Sequence, residues 1–129
     1  MATTNLSYDH PAYITVQNQP IAIAAGSGTA ARFAVYADSI AKSLILKPTT
    51  VSTSADTVTV VAVTNTTTKT LGVTTIASAQ STFSRLEFTT ASRTLTQGDE
   101  VRITKGTDAT VVYAGAVELV ATPGATVTS

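Results

Sequence analysis

The densest group of ionisable side chains lies in the stretch TLTQGDEVRITKGTD, residues 94–108. It holds three acids and two bases: Asp99, Glu100, Arg102, Lys105 and Asp108. Clustered carboxylates can bind calcium, but a calcium loop needs acidic oxygens at closer, more regular intervals and a final bidentate Glu. Val101 and Ile103 alternate with the charges at period two. The pattern therefore predicts the solvated face and turns of a β-hairpin rather than a chemical site.

The remaining candidates for catalysis are weaker. His10 is the only histidine, and its place beside Asp9 and Pro11 favours a turn over a zinc site or a triad. The stretch GSGTA, residues 26–30, lacks the Gly-Lys-Ser/Thr ending of a phosphate loop. The many Ser and Thr hydroxyls have no general base near them in a recognisable pattern. We predict that the protein is not an enzyme and holds neither a cofactor nor a metal ion.

The elements that carry these residues are predicted to be strands. The chain of 129 residues contains 27 threonines, and β-branched residues favour a pleated, half-buried surface over a helix. Its length is typical of one domain. Because cysteine is absent, neither disulfides nor thiolate zinc sites are expected.

The charge content bounds the partners. Charged residues make up 12% of the chain, and eight basic residues balance eight acidic ones, so we expect no nucleic acid or membrane partner. A surface of hydroxyls and small side chains is easier to desolvate than one of ammonium and carboxylate groups. Such a surface suits a protein that docks permanently on other protein.

The first 30 residues differ in composition from the rest. They contain Pro11 and Pro20, each of which removes a donor from a β-ladder, and they end near a flexible GSG link. We predict an extended N-terminal arm over residues 1–30 and a β-sandwich domain over residues 31–129. The N-terminus lacks the pattern of a secretory signal, and no apolar run approaches the roughly 18 residues of a membrane span. Synthesis in a cytoplasm is the expectation.

From residue 32 onward, short strands and turns alternate, and no stretch predicts a helix of three turns. This spacing predicts an all-β fold, an antiparallel β-sandwich with a jelly-roll-like arrangement. DTVTVVAVTN is apolar on both faces in its second half, which favours a central strand covered on both faces. Pro48 interrupts SLILKPTTVST and favours an edge position or a bulge. DSIAKS is expected to be a loop.

The last predicted strand, TVVYAGAVELV, has two apolar faces. One face carries the residues assigned to the core: Val111, Tyr113, Val117 and Leu119. The other face, broken only by Glu118, carries small or apolar residues: Val112, Ala114, Ala116 and Val120. Small residues let another surface approach closely, so we expect a neighbouring subunit to contact this second face.

The region from residue 32 to residue 121 resembles the small β-sandwich proteins of tailed-bacteriophage virions, many of them head decoration or cement proteins. The likeness lies in four stretches: RFAVYADSIAKSLIL, SADTVTVVAV, LTQGDEVRITKGTDA and AGAVELVAT. The resemblance implies a non-enzymatic virion protein on the outer capsid surface, made in the host cytoplasm. It also implies a homotrimer that binds the major capsid protein and bridges capsomers. The Asn-Gly turn frequent in such chains is NTTT here, residues 65–68.

We further expect the arm to lie across a neighbouring subunit or the capsid, where it would bury aromatic and aliphatic side chains: Tyr8, Tyr13, Ile14 and Ile21.

Two other roles stay open. A fibre or adhesin module would bind a host glycan, with Tyr36 and Tyr113 joining Tyr8 and Tyr13 in a stacking platform, although aromatics make up only 5% of the chain. A tail or connector protein could share the sandwich, and the symmetry of its oligomer would identify it.

Overall fold

A computed structural model describes residues 16–51, 53–108 and 110–121, and the statements below concern these residues. They form nine strands and one short 3₁₀ turn over Ala91–Arg93. The strands are β1 (Val16–Ile23), β2 (Ala30–Ala34), β3 (Ser39–Thr50), β4 (Asp56–Thr64), β5 (Thr67–Ile76), β6 (Ser84–Glu87), β7 (Thr94–Leu95), β8 (Glu100–Thr104) and β9 (Val112–Ala121). The predicted all-β class is confirmed.

The strands form two antiparallel sheets that pack face to face. Sheet A has the order β1-β9-β3-β6, with the short β7 also paired to β3, and sheet B has the order β2-β8-β4-β5. If β7 is left aside, consecutive strands lie in alternate sheets except for the β4–β5 hairpin, which is the order of a jelly roll with the first strand beside the last. Within this order, β4 and β5 are joined by a two-residue hairpin turn that carries Asn65 at φ 52°.

The core lies between the sheets and is mostly aliphatic. Alternation along each strand sends every second side chain inward, and burying one such side chain contributes about 1.5–3 kcal/mol. The largest fully buried aliphatic side chains come from both sheets: Ile23, Leu44, Leu46, Val58, Val60, Leu71, Ile76, Leu95, Val101 and Ile103.

One strand prediction is confirmed, and a second is confirmed in position but not in its coverage. In β8, Val101 and Ile103 are fully buried, whereas Glu100 and Arg102 lie half-exposed on the outer side. DTVTVVAVTN forms β4, which lies between β8 and β5 in sheet B. On its outer side Val61 is only half-buried, so β4 is central but covered on one face.

The expected loop DSIAKS is wrong, because β3 begins at Ser39. The ladder between β3 and β9 shifts register between Ala41 and Ser43, which places an extra residue, Lys42, in the strand. A bulge of this kind breaks the period-two pattern and hides the start of the strand. A second register shift follows Pro48, as the bulge prediction for that residue expected.

The predicted hairpin over residues 94–108 is also wrong. β7 belongs to sheet A and β8 to sheet B, so TQGD turns a corner between the sheets. The corner continues the ladder of sheet B, since the Val35 N–H donates to the Asp99 carbonyl at 2.8 Å and the Gly98 N–H donates to the Val35 carbonyl at 2.9 Å.

The predicted boundary at residue 30 also needs correction. All eight residues of β1 pair with β9, from Val16 opposite Val120 to Ile23 opposite Tyr113. Residues 16–30 therefore belong to the sandwich, with Pro20 on the edge strand that its missing N–H requires. Residues 1–15 lie outside the described part of the chain. No helix within the described part is long and apolar enough to cross a membrane.

Candidate functional site

Three of the five ionisable residues in the opening stretch are buried. Asp99, Lys105 and Asp108 are 4%, 2% and 6% exposed. The prediction that the stretch is a solvated face is therefore wrong for these three. Only Glu100 and Arg102 meet it, as a half-exposed ion pair with an N–O distance of 2.7 Å.

Two of the buried residues belong to a polar group at the end of the sandwich where β4 and β9 begin. We call this group the end cluster, and it consists of Asp56, Lys105, Asp108 and Tyr113. The Tyr113 hydroxyl donates to Asp56 Oδ2 at 2.7 Å. The Asp108 N–H donates to Asp56 Oδ1 at 3.4 Å. Asp56 thus ties sheet B to the first inward residue of β9 and to the turn that precedes it.

Asp108 organises the two loops beside Asp56. Its Oδ2 accepts the N–H groups of Thr53 and Ser54 at 2.8 and 3.0 Å, and its Oδ1 accepts the N–H and hydroxyl of Thr110 at 2.8 and 2.7 Å. These bonds stabilise the charged form, those from Thr110 most strongly, and hold the pKa of Asp108 well below its usual range.

Lys105 lies along the same turn. Its Nζ donates to the Val111 carbonyl at 2.7 Å, and its backbone N–H donates to the Thr29 carbonyl at 3.0 Å. Within the described residues, no ion pair joins Lys105 to a carboxylate. The side chain closes the loop between β8 and β9 from inside instead of presenting an amine to solvent.

Gly106 makes the close packing of this turn possible. A Cβ at this position would lie 2.6 Å from Asp56 Oδ1 and 2.9 Å from the Thr57 carbonyl oxygen. Such contacts are too short for carbon and oxygen, so the position requires glycine.

The end cluster holds strands and loops of the sandwich together. Burial first, and then the hydrogen bond to Asp56, raise the pKa of the Tyr113 phenol above its usual value. The phenol of Tyr113 therefore loses its proton less readily than a free tyrosine does. Among the described residues, no buried polar side-chain atom lacks a partner, and no three His, Cys, Asp or Glu residues group into a metal site.

Asp99 has a similar role at the opposite end. Its Oδ1 accepts the Thr64 hydroxyl at 2.8 Å, and its Oδ2 accepts the Thr96 N–H at 2.9 Å. The carboxylate fixes the TQGD corner against the end of β4. Buried carboxylates therefore tie loops to strands at both ends of the sandwich.

The strongest candidate for a binding surface is the outer side of sheet A. We call it the A face, formed by side chains that point away from the core: Val16, Asn18, Pro20 and Ala22 on β1, Val112, Ala114, Ala116, Glu118 and Val120 on β9, Ile40, Ser43, Ile45 and Lys47 on β3, and Arg85 and Glu87 on β6.

Two shallow grooves cross the A face and share Ile45 and Ala116. One, of about 480 Å³, is apolar and is lined by Ile45, Lys47, Phe83, Ala114, Gly115 and Ala116. The other, of about 330 Å³, is more polar and is lined by Asn18, Ser43, Ile45, Arg85, Ala116 and Glu118. Phe83 and Ile45 are 59% and 37% exposed, so the grooves open to solvent.

The structure places only some of the predicted contact residues on the A face. Ala114 and Ala116 line the apolar groove, and Val112 and Val120 lie half-buried at the two ends of the same face. Ile21, in contrast, is 9% exposed and belongs to the chain's own core, so it is not available to a neighbour. Tyr8, His10, Tyr13 and Ile14 lie outside the described residues.

Sequence reasoning missed Ile45 and Phe83. Both had a signal, because Ile45 is out of phase with the buried Leu44 and Leu46, and Phe83 is out of phase with Leu86 and Phe88. An apolar residue on the polar phase of a strand is the pattern that could have found them.

The described residues do not bring Tyr36 and Tyr113 together into the predicted sugar-stacking platform. Tyr113 is buried in the end cluster, whereas Tyr36 is 81% exposed in the loop between β2 and β3 at the opposite end of the sandwich. The two rings cannot stack on one sugar.

No family model matches the sequence, and no curated protein matches it either.

Proposed function

We propose that this chain is a non-enzymatic structural protein of a bacteriophage virion, which decorates and stabilises the outer surface of the capsid by bridging capsomers. The observation that carries the proposal is the A face. It is rich in small side chains and crossed by an apolar groove, and it lies on a sandwich whose buried carboxylates, among the described residues, all have hydrogen-bond partners within the chain.

The composition of the A face favours contact with protein. Ala114, Ala116 and Pro20 leave little side-chain bulk above the sheet, so another surface can approach closely. Glu87 and Glu118 offset Lys47 and Arg85, and the exposed Lys42 at the bulge of β3 leaves one positive charge beside them. Such a face can be covered at low cost.

The fold is consistent with this role at the level of analogy. Jelly rolls recur in viral capsid proteins and in lectins, and a fold alone does not fix a function. The end cluster supports a non-enzymatic role, since its titratable groups are buried and paired rather than set in a cleft.

Decoration also needs only modest affinity at each contact. Repeating a weak contact over a symmetric shell raises the total stabilisation through multivalency. The fifteen residues before β1 join the sandwich at the free edge of sheet A. We assign to this segment, with Tyr8, Tyr13 and Ile14, the attachment to the major capsid protein or to a neighbouring subunit.

Heads of the source virus that lack this protein provide the test. The purified full chain should bind them at a fixed stoichiometry, and electron cryomicroscopy should show it on the outer surface. A chain without residues 2–15 should fold but lose attachment. The longer deletion of residues 2–25 is a poor test, because it removes β1 and exposes the core. Heads that never bind the full chain would refute the proposal.

The glycan-binding alternative makes a different prediction. Saturable binding to one class of sugar on a glycan array, without attachment to heads, would support an adhesin instead.

A further inference from the structure

We infer that the A face is where a second copy of this chain packs, sheet against sheet, about a two-fold axis that runs across the strands. The inference rests on the proposed function, for which it names the partner of one surface. The resulting assembly is a dimer. It would bridge two capsomers if each of its two copies bound one capsomer. The trimer implied by the family resemblance would need a different contact.

The centre of the A face is small and apolar. Ile45 lies opposite Ala116 in the ladder between β3 and β9, and Pro20 lies opposite Ala116 on the other side. Ile45 therefore rises beside a shallow depression. Two sheets in a sandwich pack about 10 Å apart with interdigitating side chains. In a face-to-face pair about an axis at this level, Ile45 of each copy would pack against Ile45 of the other, beside the small side chains of Ala116 and Pro20.

The charges beside this centre are placed for self-complementarity. Lys47 lies next to Ala114, two residues from the centre in one direction, and Glu118 lies next to Ser43, two residues away in the other. Each is therefore about 7 Å from the centre along the strands. A two-fold axis across the strands reverses this direction, so Lys47 of one copy faces Glu118 of the other, and the reverse pair follows by symmetry.

The distance across the strands also fits. β3 and β9 are neighbours in sheet A, so the two partners are offset by one strand spacing, about 4.8 Å. The long side chain of Lys47 spans this offset. Arg85 on β6 is level with Ile45, so it would face Arg85 of the other copy, and its ion pair with Glu87 on the same strand offsets part of that repulsion.

Among the described residues, the outer side of sheet B lacks basic and acidic positions that a two-fold axis would bring opposite each other. Arg32 on β2 lies directly opposite Arg102 on β8, and Glu100 is the acid that pairs with Arg102. The strands β4 and β5 add alternating Val and Thr there, such as Val61, Val73 and Thr70. This side carries a net positive charge without a matching acidic patch.

The area of the contact limits how tightly two copies can bind. Four strands at about 4.8 Å and nine residues of β9 at about 3.3 Å give a face of roughly 500–600 Å². A pair would bury roughly twice that area, which is at the lower end of specific interfaces. We therefore expect a dimer that forms and dissociates with concentration rather than a permanent one.

Sedimentation equilibrium of the purified full chain over a concentration series tests the inference. The unmodified chain should be a concentration-dependent dimer. Ile45→Lys should weaken dimerisation at least about tenfold, whereas Val73→Lys, the matched change at an exposed apolar position on sheet B, should leave it unchanged. A monomer at every concentration, a trimer unaffected by Ile45→Lys, or equal loss in both variants would overturn the inference.

A charge exchange tests the geometry itself. Lys47→Glu and Glu118→Lys should each weaken dimerisation, because each puts like charges across the axis. A mixture of the two variants should dimerise again, since every Glu then faces a Lys. Failure of the mixture to associate would exclude this axis.

Two controls separate the possible outcomes. If a monomeric chain becomes a dimer only when residues 2–15 are deleted, those residues cover the A face and the inference is wrong. A chain that stays monomeric but binds heads would overturn the dimer and keep the proposed function. A dimer that binds no heads would do the opposite.

Discussion

The end cluster and the A face use ionisable side chains in opposite ways. In the end cluster, Asp56, Lys105 and Asp108 are buried, and their partners are strands and loops of the same chain. On the A face, Lys47 and Glu118 reach the surface beside an apolar groove. In a chain with few charges, several of them are therefore structural, and the surface left behind is easy to cover. Substitutions in the two regions should affect different properties.

The largest loss of stability is expected for Asp56→Ala. It leaves the buried Tyr113 hydroxyl and the Asp108 N–H without their acceptor, and orphaned buried groups of this kind should together lower the free energy of unfolding by about 3 kcal/mol. Urea denaturation measures the change. Asp56→Asn keeps one acceptor oxygen and should lose less. Equal stability of Asp56→Ala and the unmodified chain would contradict the structural role of the cluster.

Gly106→Ala should come next, at about 2 kcal/mol, because the added methyl overlaps Asp56 and the Thr57 backbone. Gly72→Ala is the matched control, since its methyl would meet Leu86 and Phe88 side chains, which can move, with the nearest atom at 3.0 Å. Thermal unfolding of both variants gives the comparison. A larger effect at Gly72 than at Gly106 would argue against a tightly closed end cluster.

Tyr113→Phe removes only a hydroxyl and should cost about 1 kcal/mol, the usual net value of one hydrogen bond, plus a contribution from Asp56 losing its donor. Tyr36→Phe, at an exposed position, should change nothing measurable. Because the pKa of Tyr113 is raised in the folded state, its stabilisation is complete below the unfolded value of about 10 and is lost as the pH rises further. The Phe variant should lack this alkaline loss.

Acidification tests Asp108. Its pKa is lowered in the folded state, so its stabilisation is present above the unfolded value of about 3.9 and is lost as the pH falls towards the folded one. Asp108→Asn should therefore be less stable than the unmodified chain at neutral pH, with the gap closing below about pH 4. Urea midpoints measured across this range give the answer, and a gap that stays constant would show that the carboxylate charge is not what matters.

The smallest effect on stability is expected for the A face. Ala114→Ser changes an exposed side chain and should alter the free energy of unfolding by less than about 0.5 kcal/mol. A loss as large as that of Tyr113→Phe would show that the A face is part of the fold rather than a surface waiting for a partner.

The alternation of apolar and polar residues was sufficient to predict a strand where that strand is regular. β8 shows this, because Val101 and Ile103 alternate with polar residues without interruption. The start of β3 was missed because the bulge at Lys42 shifts the phase of the alternation. The order of strands was beyond any local pattern, since it depends on pairs such as Val16 with Val120 that lie a hundred residues apart.

The end cluster was missed for a related reason. KGTD has the composition of an exposed turn, and nothing within it shows that Asp108 would meet Thr53 and Ser54, which come from another loop. The A face was found in part, because Ala114 and Ala116 stand out in an otherwise bulky strand. Its other half comes from β3 and β6, and only the fold brings them beside β9.

The pairing of β1 with β9 affects how the protein is made. The first described strand, β1, pairs with the last one, β9, and β2 likewise pairs with β8, which is made much later. Such long-range closure slows folding, and a ribosome delivers β9 only after the other eight described strands. A nascent chain therefore cannot complete either sheet early, and a prematurely terminated product lacks the strand against which its beginning must lie. Only chains synthesised through β9 contain all the strands of both sheets.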